Sequence, residues 1–120
     1  MSEYKEIIID HYKSPRNQGE VPDADVVIDE ANASCGDLIK IYVKLSGGKV
    51  TDMKWQGIGC AISTAGASML SEKVVGMTKE DLEKFGEAGV VEMLGGEINA
   101  GRMKCATLAY RGLLKVFEKK

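Results

Sequence analysis

Residues 38–55 read LIKIYVKLSGGKVTDMKW, and the reading of this stretch decides the fold. Ile39, Ile41, Val43 and Leu45 alternate with Lys40, Tyr42 and Lys44, the two-residue period of a strand with one buried and one solvated face. Ser46-Gly47-Gly48-Lys49 then supplies glycines that tolerate positive φ, and the alternation resumes through Met53 and Trp55. The stretch is a β-hairpin.

Working outward, residues Ala24 to Ala33 are rich in Val and Ile and add a strand before the hairpin, which makes an antiparallel meander. Further upstream, Tyr4, Ile7, Ile8, His11 and Tyr12 recur at helical spacing until Ser14-Pro15, where proline disfavours helix in the residue before it. Gln18 to Asp23, with Gly19 and Pro22, connects the two. Downstream the period becomes helical. Ile62, Ala65, Met69 and Leu70 share one side of a helix that Gly76 is placed to end. Thr78 and Asp81 have the spacing of a capping box before Leu82 and Phe85. After Gly95-Gly96, a last helix carries Tyr110, Leu113, Leu114 and Phe117 on one stripe. The expectation is an α+β fold over residues 1–120, one domain, with a three-stranded antiparallel sheet, an N-terminal helix and several C-terminal helices stacked on one sheet face.

At 120 residues, 44% hydrophobic and 28% charged, the composition is that of an ordinary globular chain. A net charge of −2, with lysines interspersed among acids, argues against nucleic acid as the main partner. No apolar run is long enough to cross a bilayer, and MSEYKEIIIDHYK is too charged for a secretory signal, so a cytoplasmic protein without a membrane partner is expected. Three cysteines cannot all pair within one chain, and cytosolic thiols are kept reduced; metal or sulfur chemistry is the more productive reading.

Each cysteine has neighbours that favour such chemistry. Cys35 and Asp37 share the buried-side parity of Ile39 and Ile41, at the end of the sheet, with Gly36 between them leaving room for a ligand. Cys60, after Gly57-Ile58-Gly59, stands where a strand gives way to a helix whose N-terminal amides favour a thiolate; the glycines suggest clearance for a bulky group. Cys105 follows Arg102 and Lys104, two cations that favour negative sulfur, and is the leading candidate for a reactive thiol. Lys104 itself could reach a metal only when deprotonated. His11, Trp55 and the methionines read as core or surface residues.

Three thiolates and a carboxylate could hold zinc, but the paired C-x-x-C knuckles of zinc fingers are missing. A permanent electron-transfer cluster usually has four cysteines, whereas a carboxylate binds iron less covalently and suits a labile cluster. C-x-x-C redox catalysis is ruled out by inspection, and a cysteine hydrolase has no supported general base.

The segments Ala33-Ser34-Cys35-Gly36-Asp37, Gly57-Ile58-Gly59-Cys60-Ala61-Ile62-Ser63 and Met103-Lys104-Cys105 resemble the three ligand segments of the IscU/NifU-type iron-sulfur assembly scaffold family. His11-Tyr12 through Ser14-Pro15-Arg16-Asn17 is similar to that family's opening signature. The resemblance implies an IscU-like fold and a scaffold that receives sulfur from a cysteine desulfurase. It would combine that sulfur with iron and electrons from a donor such as a ferredoxin, and pass a transient [2Fe-2S] cluster to apo-proteins. It implies Cys35, Asp37, Cys60 and Cys105 as ligands, Cys105 as persulfide acceptor and Asp37 as the residue that keeps the cluster exchangeable. Lys104 stands where many members have histidine, as in the SufU-like branch, yet the insertion of that branch between the second and third cysteines is absent. A zinc-dependent, SufU-like sulfurtransferase that stimulates a desulfurase is therefore the alternative, and a structural zinc domain a third reading. Asn99-Ala100-Gly101-Arg102-Met103 replaces the Leu-Pro-Pro-Val-Lys segment gripped by an Hsp70-type chaperone, so dependence on that chaperone is not expected. Two chains could share ligands as a homodimer.

Overall fold

The alternating runs pair as a meander in the computed structural model, which describes residues 5–32 and 36–119. Cys35, Ala33 and Tyr4 lie outside the described residues. Strands β1 (Val26–Asn32), β2 (Asp37–Ser46) and β3 (Lys49–Ile58) form an antiparallel sheet in the order β1-β2-β3. The register sets Ile28 opposite Ile41 and Ile41 opposite Trp55, so one sheet face collects the apolar residues. Gly47 and Gly48, at φ of 60° and 78°, make the two-residue turn between β2 and β3, the twist-matched conformation that non-glycine residues resist.

Helices cover that apolar face. α1 (Glu6–Lys13) packs on α2 (Ala61–Lys73), and α2 packs on β3. α1 buries Ile8 and His11 but leaves Ile7 and Tyr12 about half exposed, so its apolar stripe is narrower than the spacing suggests. α3 (Lys79–Met93) starts at the expected capping box, with Thr78 Oγ1 accepting from the Asp81 amide and Asp81 Oδ2 from the Thr78 amide, both at 3.1 Å. Gly86, at φ 62° and ψ 179°, kinks it.

The last expected helix is divided. A 3₁₀ turn (Ala100–Arg102) leads to α4 (Met103–Ala106), Thr107 interrupts, and α5 (Leu108–Lys119) follows. Thr107 Oγ1 donates to the Met103 carbonyl at 2.8 Å and the Arg111 guanidinium to the Lys104 carbonyl at 2.8 Å, so side chains satisfy groups left by the break. α5 lies against β1 and β2, and Gly112 permits the approach: a Cβ there would stand 2.7 Å from Ile41 Cδ1. At the edge of this contact Lys115 pairs with Glu30 at 2.6 Å. The core between sheet and helices runs from Ile8 through Ile41, Trp55, Leu70 and Leu82 to Leu113.

Candidate metal centre

Three elements converge at the end of the sheet away from the Gly47-Gly48 turn. Asp37 opens β2 and is 3% exposed, since it continues the inward parity of Ile39 and Ile41. Cys60 is the N-cap of α2 in extended conformation, and its carbonyl accepts the first helical hydrogen bond, from the Thr64 amide at 3.0 Å. Cys105 is fully buried on α4, whose carbonyl at Ala106 backs onto α2, 3.1 Å from where a Cβ on Gly66 would stand. One donor atom from each of Asp37, Cys60 and Cys105 lies within 4.8 Å of the others. Three of the four expected ligands are thus brought together across long stretches of sequence, and the fourth, Cys35, lies outside the described residues.

The local hydrogen bonds fix this arrangement. Asp37 Oδ1 accepts from the Cys60 amide at 3.3 Å, tying the start of β2 to the start of α2. The other oxygen, Oδ2, is buried and has no hydrogen-bond partner among the described residues. A buried carboxylate oxygen left without a donor is costly, and a cation is what such an atom would accept. Two thiol-bearing residues and this oxygen make a donor set of mixed softness that fits zinc or iron. The Cys60 thiol reaches Ser63 Oγ at 3.7 Å, while the Ser63 hydroxyl donates to the Cys60 carbonyl at 3.1 Å. Burial works to raise the Cys60 thiol, but hydrogen bonding with the Ser63 amide, the Ser63 side chain, Cys105 and the Ile62 amide outweighs it and holds the thiol below its ordinary value.

The glycines before Cys60 leave room for the chain's own groups. A Cβ on Gly59 would collide with Ser63 Oγ and lie 3.0 Å from Asp37 Oδ1; one on Gly57 would stand 2.6 Å from the Leu38 carbonyl oxygen. The clearance expected for a cofactor is therefore first of all clearance that lets β3 and α2 close around Asp37. Lys104 is exposed, and Leu38 and Ile58, paired across β2 and β3 at 55% and 76% exposure, form an apolar rim beside the centre.

Two polar neighbours were missed in the sequence reading. Ser63 follows Cys60 by three positions, the reach of one helical turn. Asn32 occupies the inward parity of β1 after Val26, Ile28 and Glu30, where an uncharged polar residue in a strand is itself a signal.

Known proteins resemble this chain in sequence and in fold. The family model for the NifU-like N terminal domain matches residues 3–119. The chain is 40% identical over 106 residues to the iron-sulfur cluster assembly scaffold protein IscU 1 of Archaeoglobus fulgidus, covering 88% of this chain and 69% of that one. It is 36% identical over 129 residues to the zinc-dependent sulfurtransferase SufU of Bacillus subtilis, covering 93% and 87%. Among solved structures, the SUF-system protein FiSufU of Fervidobacterium islandicum AW-1 superposes with a TM-score of 0.80 at 31% identity, covering 94% of this chain and 95% of that one. By sequence over nearly its whole length and by fold, the chain belongs to the NifU-like N-terminal domain family.

Proposed function

We propose that this protein is a scaffold for assembling a labile [2Fe-2S] cluster, which it receives as sulfur and iron and hands on to apo-proteins. The observation that carries the reading is the convergence of Asp37, Cys60 and Cys105 within 4.8 Å, with Asp37 Oδ2 lacking a partner among the described residues. Cys35, Asp37, Cys60 and Cys105 are the ligands in this reading, acting within one domain in the cytoplasm. The 40% identity to a scaffold of the same family supports it.

Cys105 is the sulfur acceptor. Its side chain is fully buried, so the site has to open before its thiolate attacks the terminal sulfur of a desulfurase persulfide; the new S–S bond then forms as the old one breaks, and the desulfurase cysteine departs as thiolate. Electrons from a ferredoxin-type donor then reduce that sulfur to sulfide. The apolar rim of Leu38 and Ile58 offers a contact for the desulfurase or a recipient.

Anaerobic protein given iron, cysteine and a cysteine desulfurase should develop visible absorbance, and adding an apo-ferredoxin should move it. Asp37→Ala should slow that transfer, because a thiolate-richer shell grips iron more covalently. Faster sulfur release with zinc bound and no colour would replace this reading with the zinc-dependent sulfurtransferase one.

A further inference from the structure

Resting on the ligand set proposed above, we infer that Asn32 is a positioning residue whose side-chain amide holds the Cys105 sulfur toward Asp37 and Cys60. Asn32 is the last residue of β1 and lies directly opposite Asp37, so the two side chains share the inward face. It is only 4% exposed, and a buried amide without a partner costs free energy. Its Nδ2 donates to Cys105 Sγ at 3.8 Å, across 73 positions of sequence.

The side chain is not needed to finish the strand. The main chain does that, with the Asn32 carbonyl accepting from the Gly36 amide at 2.9 Å. Nor is it paired like its inward neighbour Glu30, whose charge is matched by Lys115. What remains is a neutral donor aimed at sulfur, beside a carboxylate that can only accept. A hydrogen bond to a ligating sulfur fixes its lone-pair direction and draws off electron density, and losing such an outer partner typically weakens metal binding about 10- to 100-fold.

Metal-free protein titrated with Co²⁺ under anaerobic conditions at one fixed pH tests this, through the thiolate-to-cobalt charge-transfer absorption, the dissociation constant and the melting temperature. Asn32→Leu keeps the shape and removes the donor; Asn32→Ala, which leaves space instead of a new apolar group, serves if the first does not fold. Either should bind cobalt about 10- to 100-fold more weakly with a shifted charge-transfer band, while Asn32→Gln, which keeps an N–H donor, retains part of both. Wild-type affinity and absorption in the donor-less variants would overturn the inference. So would equal weakening in all variants in step with melting temperature, which is the mark of a packing role. Cys105→Ser separates the two levels: if it leaves the cobalt absorption unchanged, the ligand set itself fails, and the role of Asn32 with it.

Discussion

Gly59 stands between Asp37 Oδ1 and Ser63 Oγ, the two groups that set the carboxylate and the N-terminus of α2 at close range. Gly59→Ala should therefore act twice. Overpacking at a closed site costs about 1–3 kcal/mol, seen in a melting curve, and displacement of Asp37 should weaken cobalt binding beyond what the stability loss explains. His11 gives a different kind of prediction. Ser68 Oγ accepts from the Arg16 amide at 2.8 Å and hydrogen-bonds His11 Nδ1 at 2.7 Å, so the buried ring is held between α1 and α2. Burial is the main force lowering the His11 pKa, the charge of Arg16 adds to it, and Glu72 and Asp10 pull the other way. With the folded value below the ordinary 6.5, the unfolded chain takes up the proton first as pH falls, so stability is flat above that value and declines below it until the folded ring also protonates. Melting temperatures at pH 8 and pH 5.5 should differ more in the wild type than in His11→Gln. Equal slopes would remove the buried neutral histidine from the account. At this scale Asp37, Cys60 and Cys105 stand out in the sequence by their neighbours and come together in space, Cys35 lies outside the described residues, and Asn32 meets Cys105 only through the pairing of β1 with the rest of the fold.

The elements divide by what ends them. The meander was legible because a period of two and a Gly-Gly turn are local properties, and Thr78 with Asp81 announced α3 for the same reason. Thr78→Ala should cost about 1 kcal/mol, lowering the melting temperature by about 4 °C in a chain of this size; no change would mean the box is redundant with packing. The break at Thr107 was not legible, since no proline or glycine stands between Met103 and Arg111. It is imposed from outside: Cys105 and Ala106 are buried against α2, and Arg111 satisfies the freed carbonyl of Lys104. The kink at Gly86 had a one-residue signal that helical spacing on either side outweighed.

Across the whole molecule, the centre sits at the rim of the core and not in its middle. Of its described groups only Cys105 belongs to the core cluster, whose bulk is Trp55, Ile41, Leu70, Leu82 and Leu113, while Cys60 packs against its edge, and the radius of gyration of 13.3 Å is near the about 13.6 Å expected for a folded chain of this length. Chelation should therefore leave the far-ultraviolet circular dichroism intact while lowering stability by about 2.7 kcal/mol from a state held at 100 times the dissociation constant. Loss of the folded spectrum would instead favour a structural zinc domain. β2 starts at Asp37 and ends at the turn, ten residues that place Gly47 and Gly48 about 30 Å from the centre. Both glycines face solvent, but their positive φ resists a side chain, so a label belongs on the exposed Ser46 beside them. That turn is where the chain can be opened to new termini or made to carry a fluorophore, giving a labelled protein whose emission reports on encounters at the other end of the sheet without occupying it.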